Sequence, residues 1–370
     1  MRQETLLASL KALAKVQNKR STLPMLHYAH LFPTGIYVTD LEVGAVIETP
    51  TGINAPVCVP LDAAIKVIGA FDKGEIALSR NDGEIVTIAQ GKDKGKLMGM
   101  PIDEFPRFPD VGAMVPIADI SAAELQAAFK RMEPRISLDA NRLNITALLM
   151  RTDADQITLA ATDGRRLRLE HIEAQIYHAG ETLDCLIPHK AIENLIAMLP
   201  AKDKGAIVEI FADQKQIAFV FGEVVYVATL VDAQPPNIMC VIPQSFDTYA
   251  EVDVSALTKA VKKCQTIMTD RFNAVVLGFN GCLSVSVDVP EVGEMRSDVA
   301  TLKIGPDIET CVNPDFLQDI LKSAIGERLN IGLRVNALDL NEEPTISQAI
   351  VFTDPEKFDA LEVLMPVRHK

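Results

Sequence analysis

This sequence is short of positive charge: 36 lysines and arginines stand against 50 aspartates and glutamates, a net of −14. So acidic a chain suits a nucleic-acid partner only if its basic residues are gathered on one face. Cysteine is sparse and scattered, at 58, 185, 240, 264, 282 and 311, with no C-x-x-C pair. That spacing excludes the common zinc frameworks and suits a reduced, cytoplasmic compartment. No run of about eighteen apolar residues occurs, so no helical membrane span is expected. The opening Met1-Arg2-Gln3-Glu4 leads straight into a helical pattern and lacks the apolar core of a signal peptide. G-x-S-x-G, H-E-x-x-H and P-loop motifs are missing. His27, His30, His171 and His178 have no cysteine or carboxylate cluster beside them, so neither metal nor cofactor is expected.

What is present points to several domains. A chain of 370 residues with 48% hydrophobic content is globular and too long for one ordinary core. Its organising stretch is Ala161-Thr162-Asp163-Gly164-Arg165-Arg166-Leu167. The alternating strand pattern of Gln156-Ile157-Thr158-Leu159-Ala160 precedes it, and Asp-Gly marks a tight turn because glycine takes positive φ without steric cost.

Related arrangements recur on both sides. A helix is predicted over 5–19, with Leu6, Leu10 and Leu13 on one stripe and Lys11, Lys15 and Lys19 on another. A second starting helix follows Ser121, with Ser121 and Glu124 as a capping box and Ile120 and Leu125 as its staple; Lys130 and Arg131 lie off its apolar side. A third follows Ser255, with Leu257, Val261, Cys264 and Met268 apolar and Lys259, Lys262 and Lys263 basic. The helix-opening prolines Pro60, Pro188 and Pro314 stand 128 and 126 residues apart. The strand-end aspartates Asp40, Asp163 and Asp288 stand 123 and 125 apart. A period this long is no solenoid repeat. It predicts three similar α+β domains, over 1–115, 116–246 and 247–370. Three locally basic helices in phase with the repeat suit sequence-independent contact with phosphates. The aspartates, equivalent by position, read as structural rather than as an acid/base pair.

Read together, Thr22-Leu23-Pro24-Met25-Leu26, Thr39-Asp40-Leu41-Glu42, Phe105-Pro106, the Ala161–Leu167 stretch, Leu230-Val231-Asp232 with Pro236, and the terminal Met365-Pro366-Val367-Arg368 resemble the bacterial sliding clamps, the β subunits of DNA polymerase III. The resemblance covers nearly the whole chain. It implies three clamp domains per chain with helices on an inner face and antiparallel sheets on an outer one, closed as a head-to-tail dimeric ring around double-stranded DNA. It implies no catalysis, and as partners a replicative polymerase subunit, a clamp loader and other proteins carrying a clamp-binding peptide.

Carried over residue by residue, the resemblance places a partner-peptide pocket at Ile145, Thr162, Gly164, Arg165, Arg166, Leu167, Pro236, Val241, Val363, Met365 and Pro366, with Asn313 and Phe316 at its rim. Such a trough suits leucine and phenylalanine anchors. Arg20, Lys190 and Arg142 match DNA-contact positions; Lys11, Lys15, Lys130, Arg131, Lys259, Lys262 and Lys263 join them from the helix pattern. Leu97 and Ile267 match the apolar contacts that close the ring. The chain departs from the family in several places. The first strand is shortened or absent. Leu143-Asn144 replaces an aromatic pair, Arg165 a histidine and Cys240 a basic residue. Asn341–Pro344 and Asp354–Phe358 read as added loop. These departures motivate an alternative, a clamp-like decoy or regulator that holds partner peptides without encircling DNA.

Overall fold

Helices form where the apolar spacing places them, and prolines stand at the starts of three of them. In the computed structural model, α1 spans Gln3–Leu13, α2 Leu61–Gly69, α3 Ala122–Met132, α4 His189–Met198, α5 Val254–Gln265 and α6 Pro314–Ser323. Pro60 and Pro188 end the strands Val57–Pro60 and Leu183–Pro188 and stand one residue before α2 and α4. Their φ of −59° and −62° serves an extended residue as well as a helical one. Pro314 is the first residue of α6, and the Asn313 side chain caps that helix from Asp315 N and Phe316 N.

The structure describes residues 1–153, 156–177, 182–243, 245–269, 273–334, 349–355 and 357–367. His178, Asn341–Pro344, Glu356 and Arg368 lie outside the described residues.

Four sequence expectations are corrected here. The first helix ends at Leu13, because the chain then turns to bury Val16 and Gln17. Lys15, Lys19 and Arg20 therefore follow α1 rather than line it. Ser121 is the last residue of the strand Val115–Ser121, and α3 starts directly at Ala122, whose amide donates to Ala206 O at 2.9 Å. Asp288, read as a strand-end equivalent of Asp40 and Asp163, is next to last in the strand Cys282–Val289 but builds no such turn, standing instead opposite Glu294. The turn falls later, at Glu291 with φ of 70°. Of Asp354–Phe358, read as added loop, Asp354 ends the strand Ile350–Asp354 and Lys357 and Phe358 begin the strand Lys357–Leu364, with Asp354 opposite Lys357.

The chain gathers into two compact units. Unit one holds Met1–Phe129, Thr152–Gln156 and Glu173–Asp232; unit two holds Lys130–Arg151, Ile157–Ile172 and Ala233–Lys370. In unit one a nine-stranded antiparallel sheet joins Gly35–Thr39 to Val43–Glu48, and Val43–Glu48 to Val224–Thr229. The short strands Ala77–Arg80, Ile85–Gln90 and Asp93–Met98 form a second sheet. Leu97 lies on the last of these and is buried. Leu6, Leu10 and Leu13 of α1 and Ala64 and Ile68 of α2 are buried as well.

In unit two Arg166–Glu173 pairs with Lys357–Leu364, which continues through Ile350–Asp354 and Arg328–Leu333 to Thr248–Asp253. A four-stranded sheet carries Val275–Asn280 and Cys282–Val289. Leu257, Val261 and Cys264 of α5 and Leu317, Ile320 and Leu321 of α6 enter one core with both sheets. Each aliphatic side chain of this kind contributes roughly 1.5–3 kcal/mol by leaving water. Burial pushes the thiols of Cys58 and Cys185 up to about 12, so both stay protonated and inert near neutrality.

Candidate functional site

The Thr162–Arg166 turn is a closed set of hydrogen bonds. Thr162 Oγ1 donates to Arg166 O at 2.7 Å and accepts from Gly164 N at 3.0 Å. One carboxylate oxygen of Asp163 accepts from Arg165 N at 2.8 Å and Arg166 N at 3.0 Å. Asp163 therefore builds the turn, as its repeated position suggests, and its second oxygen accepts from Arg166 Nε at 3.0 Å. Gly164 sits at φ of +84°, and a Cβ there would lie 2.6 Å from Arg142 Nη1. The conformation calls for glycine; the space does so only mildly, since the tip of half-exposed Arg142 can move aside.

Arg166 is a latch rather than an exposed hook. Its side chain is only 8% exposed. Besides Asp163 it donates to Asp319 at 2.8 Å and to Pro134 O at 2.6 Å, and its guanidinium lies 4.3 Å over the Phe316 ring. It thereby ties the turn to α6. Burial would raise the Asp319 carboxyl, but hydrogen bonds and charge from Arg166 and Lys322 prevail and hold it below its ordinary 3.8.

The tail is clipped to this turn. Arg166 stands opposite Leu364 and Leu167 opposite Val363, and Met365 N donates to Arg165 O at 2.8 Å. Val367 N then donates to Cys311 O at 2.8 Å. Leu167 and Val363 are buried, whereas the neighbouring Arg165 is exposed and Met365 is 39% exposed. Ile145 is buried on its own segment, where its carbonyl accepts from Ser137 N. Pro236 is half-buried, and Val241 is exposed next to Cys240. All thirteen pocket residues named above fall within unit two.

Behind the turn lies a network that the sequence reading did not name. Arg168 donates to Glu362 at 2.7 Å and to Glu170 at 2.8 and 3.1 Å. Arg135 donates to Glu362 at 2.6 and 3.2 Å, and to Ser323 at 2.8 Å. Both glutamates are buried. The signal was there: Arg166, Arg168 and Glu170 alternate along one strand and so share a face.

This network revises one assignment. Arg131, expected to meet phosphate, binds Glu170 through two guanidinium nitrogens, one of them at 3.0 Å. Its charge is spent inside the protein. Lys190 is likewise paired, with Asp40, and Lys15 Nζ donates to Ala197 O at 2.7 Å. Arg142 divides its guanidinium between Asp139 at 3.2 Å and Asp163 O at 2.9 Å, yet remains half-exposed. Lys11, Arg20 and Lys130 are exposed, and so are Lys259, Lys262 and Lys263 on one side of α5. Ile267 packs half-buried at the edge of the unit-two core.

Comparison with known proteins places the fold first. A DNA polymerase sliding clamp from Bacillus subtilis matches all of this chain and 98% of its own, with a TM-score of 0.91 at 18% identity. A sliding clamp from Bartonella birtlesii, solved bound to griselimycin, matches 99% of this chain and 98% of its own, with a TM-score of 0.86 at 25% identity. The fold is therefore that of the sliding clamps. The family profile "DNA polymerase III beta subunit, central domain" matches residues 119–237, and the corresponding C-terminal-domain profile matches 239–368. The beta sliding clamp of Chlamydia muridarum is 26% identical over 300 residues, 80% of each chain. That of Pseudomonas aeruginosa is 23% identical over 376 residues, 100% of this chain and 99% of its own. This chain belongs to the bacterial DNA polymerase III beta-subunit family and is a divergent member of it.

Proposed function

We propose that this chain is a DNA polymerase processivity factor, a non-catalytic sliding clamp that encircles duplex DNA and tethers its partners through the turn-and-tail site of unit two. Membership of the beta-subunit family through both profiles carries this reading. Processivity then follows from topology: a tethered polymerase sees its template at high effective concentration, whatever the strength of each DNA contact. Weak phosphate contacts suit a ring that must slide.

The working form in this reading is a head-to-tail homodimer of chains with three clamp domains each, at 1–115, 116–246 and 247–370, closed through Ile267 and the edge strand that carries Leu97, whose own side chain is buried. Exposed Lys11, Arg20, Lys130, Lys259, Lys262 and Lys263 face the DNA, joined by Arg142. Lys190 joins them only if it leaves Asp40, and Arg131 is set aside. Partner peptides with leucine or phenylalanine anchors fill the trough between Arg165 and Met365, while Asp163, Arg166, Asp319 and Phe316 hold its shape.

Light scattering across a dilution series tests the assembly. A mass of twice the chain's 40.3 kDa that persists on dilution supports a ring. Retention on nicked circular DNA, with release when that DNA is linearised, tests encirclement. Peptide binding without such retention would instead support the decoy, which the comparisons do not favour.

A further inference from the structure

Three arginines close the Thr162–Arg166 turn and enter the strand behind it, at 165, 166 and 168. Arg166 and Arg168 are buried, and each is paired with two carboxylates. Arg165 is different. It is exposed, and its guanidinium makes no hydrogen bond or ion pair among the described residues. The carboxylates around the turn are engaged elsewhere. Asp163 accepts from Arg165 N, Arg166 N and Arg166 Nε, Asp139 from Asn141 and Arg142, and Asp319 from Arg166 and Lys322. A chain that is acidic overall thus leaves this guanidinium uncompensated at its turn-and-tail site.

The strand register sets which way it faces. Leu167 stands opposite Val363, and Met365 N donates to Arg165 O at 2.8 Å, which carries the same register two residues outward. Side chains two apart on a strand share a face, so Arg165 and Met365 share that of Leu167 and Val363. Directly opposed side chains on one face lie about 5 Å apart at Cβ. Arg166, Arg168, Leu364 and Glu362 alternate onto the other face. The cation therefore stands beside partly exposed Met365, at the trough that apolar anchors fill in the clamp reading.

A guanidinium offers a planar fork of donors that matches a carboxylate, and a seated peptide would shield such a pair from water. Overall charge works in the opposite direction: at −14 the chain repels an acidic peptide at long range. A preference for acid can therefore come only from a local cation. We propose that Arg165 gives the turn-and-tail site a charge preference, receiving a carboxylate that the partner carries next to its apolar anchors. That carboxylate belongs either to an aspartate or glutamate side chain or to the partner's own chain end. The inference rests on the clamp reading and names the chemistry of the partner segment.

Three peptides with the same leucine and phenylalanine anchors test it, by calorimetric titration of the full-length protein. The first has a glutamate on each side of the anchors and an amidated end. The second has glutamines in those places. The third has glutamine before the anchors and stops at the last anchor as a free carboxylate. At low salt we expect the first to bind about fivefold more tightly than the second, the scale of one partly exposed ion pair. The margin should narrow at about 0.5 M salt, and in Arg165→Gln the ratio should fall to one or below. A gain for the third peptide alone would support the proposal and assign the carboxylate to a chain end. Equal affinities for all three in the unmodified protein, tightest binding of the glutamine peptide, or a preference that survives Arg165→Gln would overturn the proposal and leave the clamp reading standing. Binding of none of the three would overturn both.

Discussion

Two turns in this molecule share one backbone and differ in what their side chains do with it. In unit one, Thr39 Oγ1 donates to Val43 O at 2.9 Å and accepts from Leu41 N, while Asp40 accepts from Glu42 N and Val43 N at 3.1 and 2.8 Å. The Thr162–Arg166 turn repeats each of these bonds. The strand that follows is clipped alike: Thr229 N reaches Glu42 O at 2.8 Å, as Met365 N reaches Arg165 O. Leu41 even adopts φ of 78°, close to that of Gly164. The free oxygen of the aspartate is used differently. Asp40 holds Lys190 from α4, whereas Asp163 holds Arg166 of its own turn, which goes on to α6.

The strands behind the turns diverge further. Val43, Ala45 and Ile47 are buried and apolar in unit one. At the same register in unit two stand Arg166, Arg168 and Glu170, also buried. Opposite Ala45 is Tyr226, whose hydroxyl accepts from Asn194 at 3.1 Å. Opposite Arg168 is Glu362, bound to two arginines and Ser323. A Thr-Asp turn thus fixes a backbone and says nothing of its use; the charges behind it set what it can anchor.

The comparison can be broken at several points. Glu362→Ala leaves Arg135 buried without a carboxylate and Arg168 with Glu170 alone, and should cost about 3–5 kcal/mol in denaturant unfolding. Tyr226→Phe, its counterpart, removes one neutral hydrogen bond and should cost about 0.5–1.5 kcal/mol. Similar losses for the two would mean that the ionic strand is no more demanding than the apolar one. Gly164→Ala forces a side chain into positive φ and pushes the Arg142 guanidinium aside, for a loss of about 1–2 kcal/mol set by the backbone and weaker peptide binding. Leu41→Gly relieves the same backbone strain while freeing the unfolded chain, so its stability should shift by less than about 1 kcal/mol.

Smallest is a pH effect. Asp319 has a lowered pKa in the folded state, so its contribution is present above its ordinary 3.8 and is lost as pH falls through the folded value. A carboxyl-carbon NMR titration of Asp319 should show a midpoint below 3.8, moving up toward it in Arg166→Gln. An unmoved midpoint would deny that Arg166 is the cause.

Much of this was legible in the sequence. The Asp40 and Asp163 turns were visible because an Asx turn needs a short side chain with an acceptor oxygen, Asp or Asn, at one position. Asp288 misled because an aspartate at the right spacing can equally sit on an exposed strand face, where nothing local marks the difference. Helix starts were readable from Pro60, Pro188 and Pro314; the end of α1 was not, because tertiary burial of Val16 and Gln17 sets it. Lys and Arg placement was the least legible feature. Whether a cation faces solvent or a buried carboxylate depends on partners such as Glu170, far away in sequence from Arg131, and composition carries no record of that pairing.

The most direct test of the account is a calorimetric titration with a partner-type peptide carrying leucine and phenylalanine anchors. The account predicts one peptide per chain, bound at least about tenfold more weakly by Met365→Ala and with unchanged affinity by Leu41→Ala. Two peptides per chain, or a loss confined to Leu41→Ala, would show that the turn of unit one serves partners as well and would contradict the division of labour between the two turns.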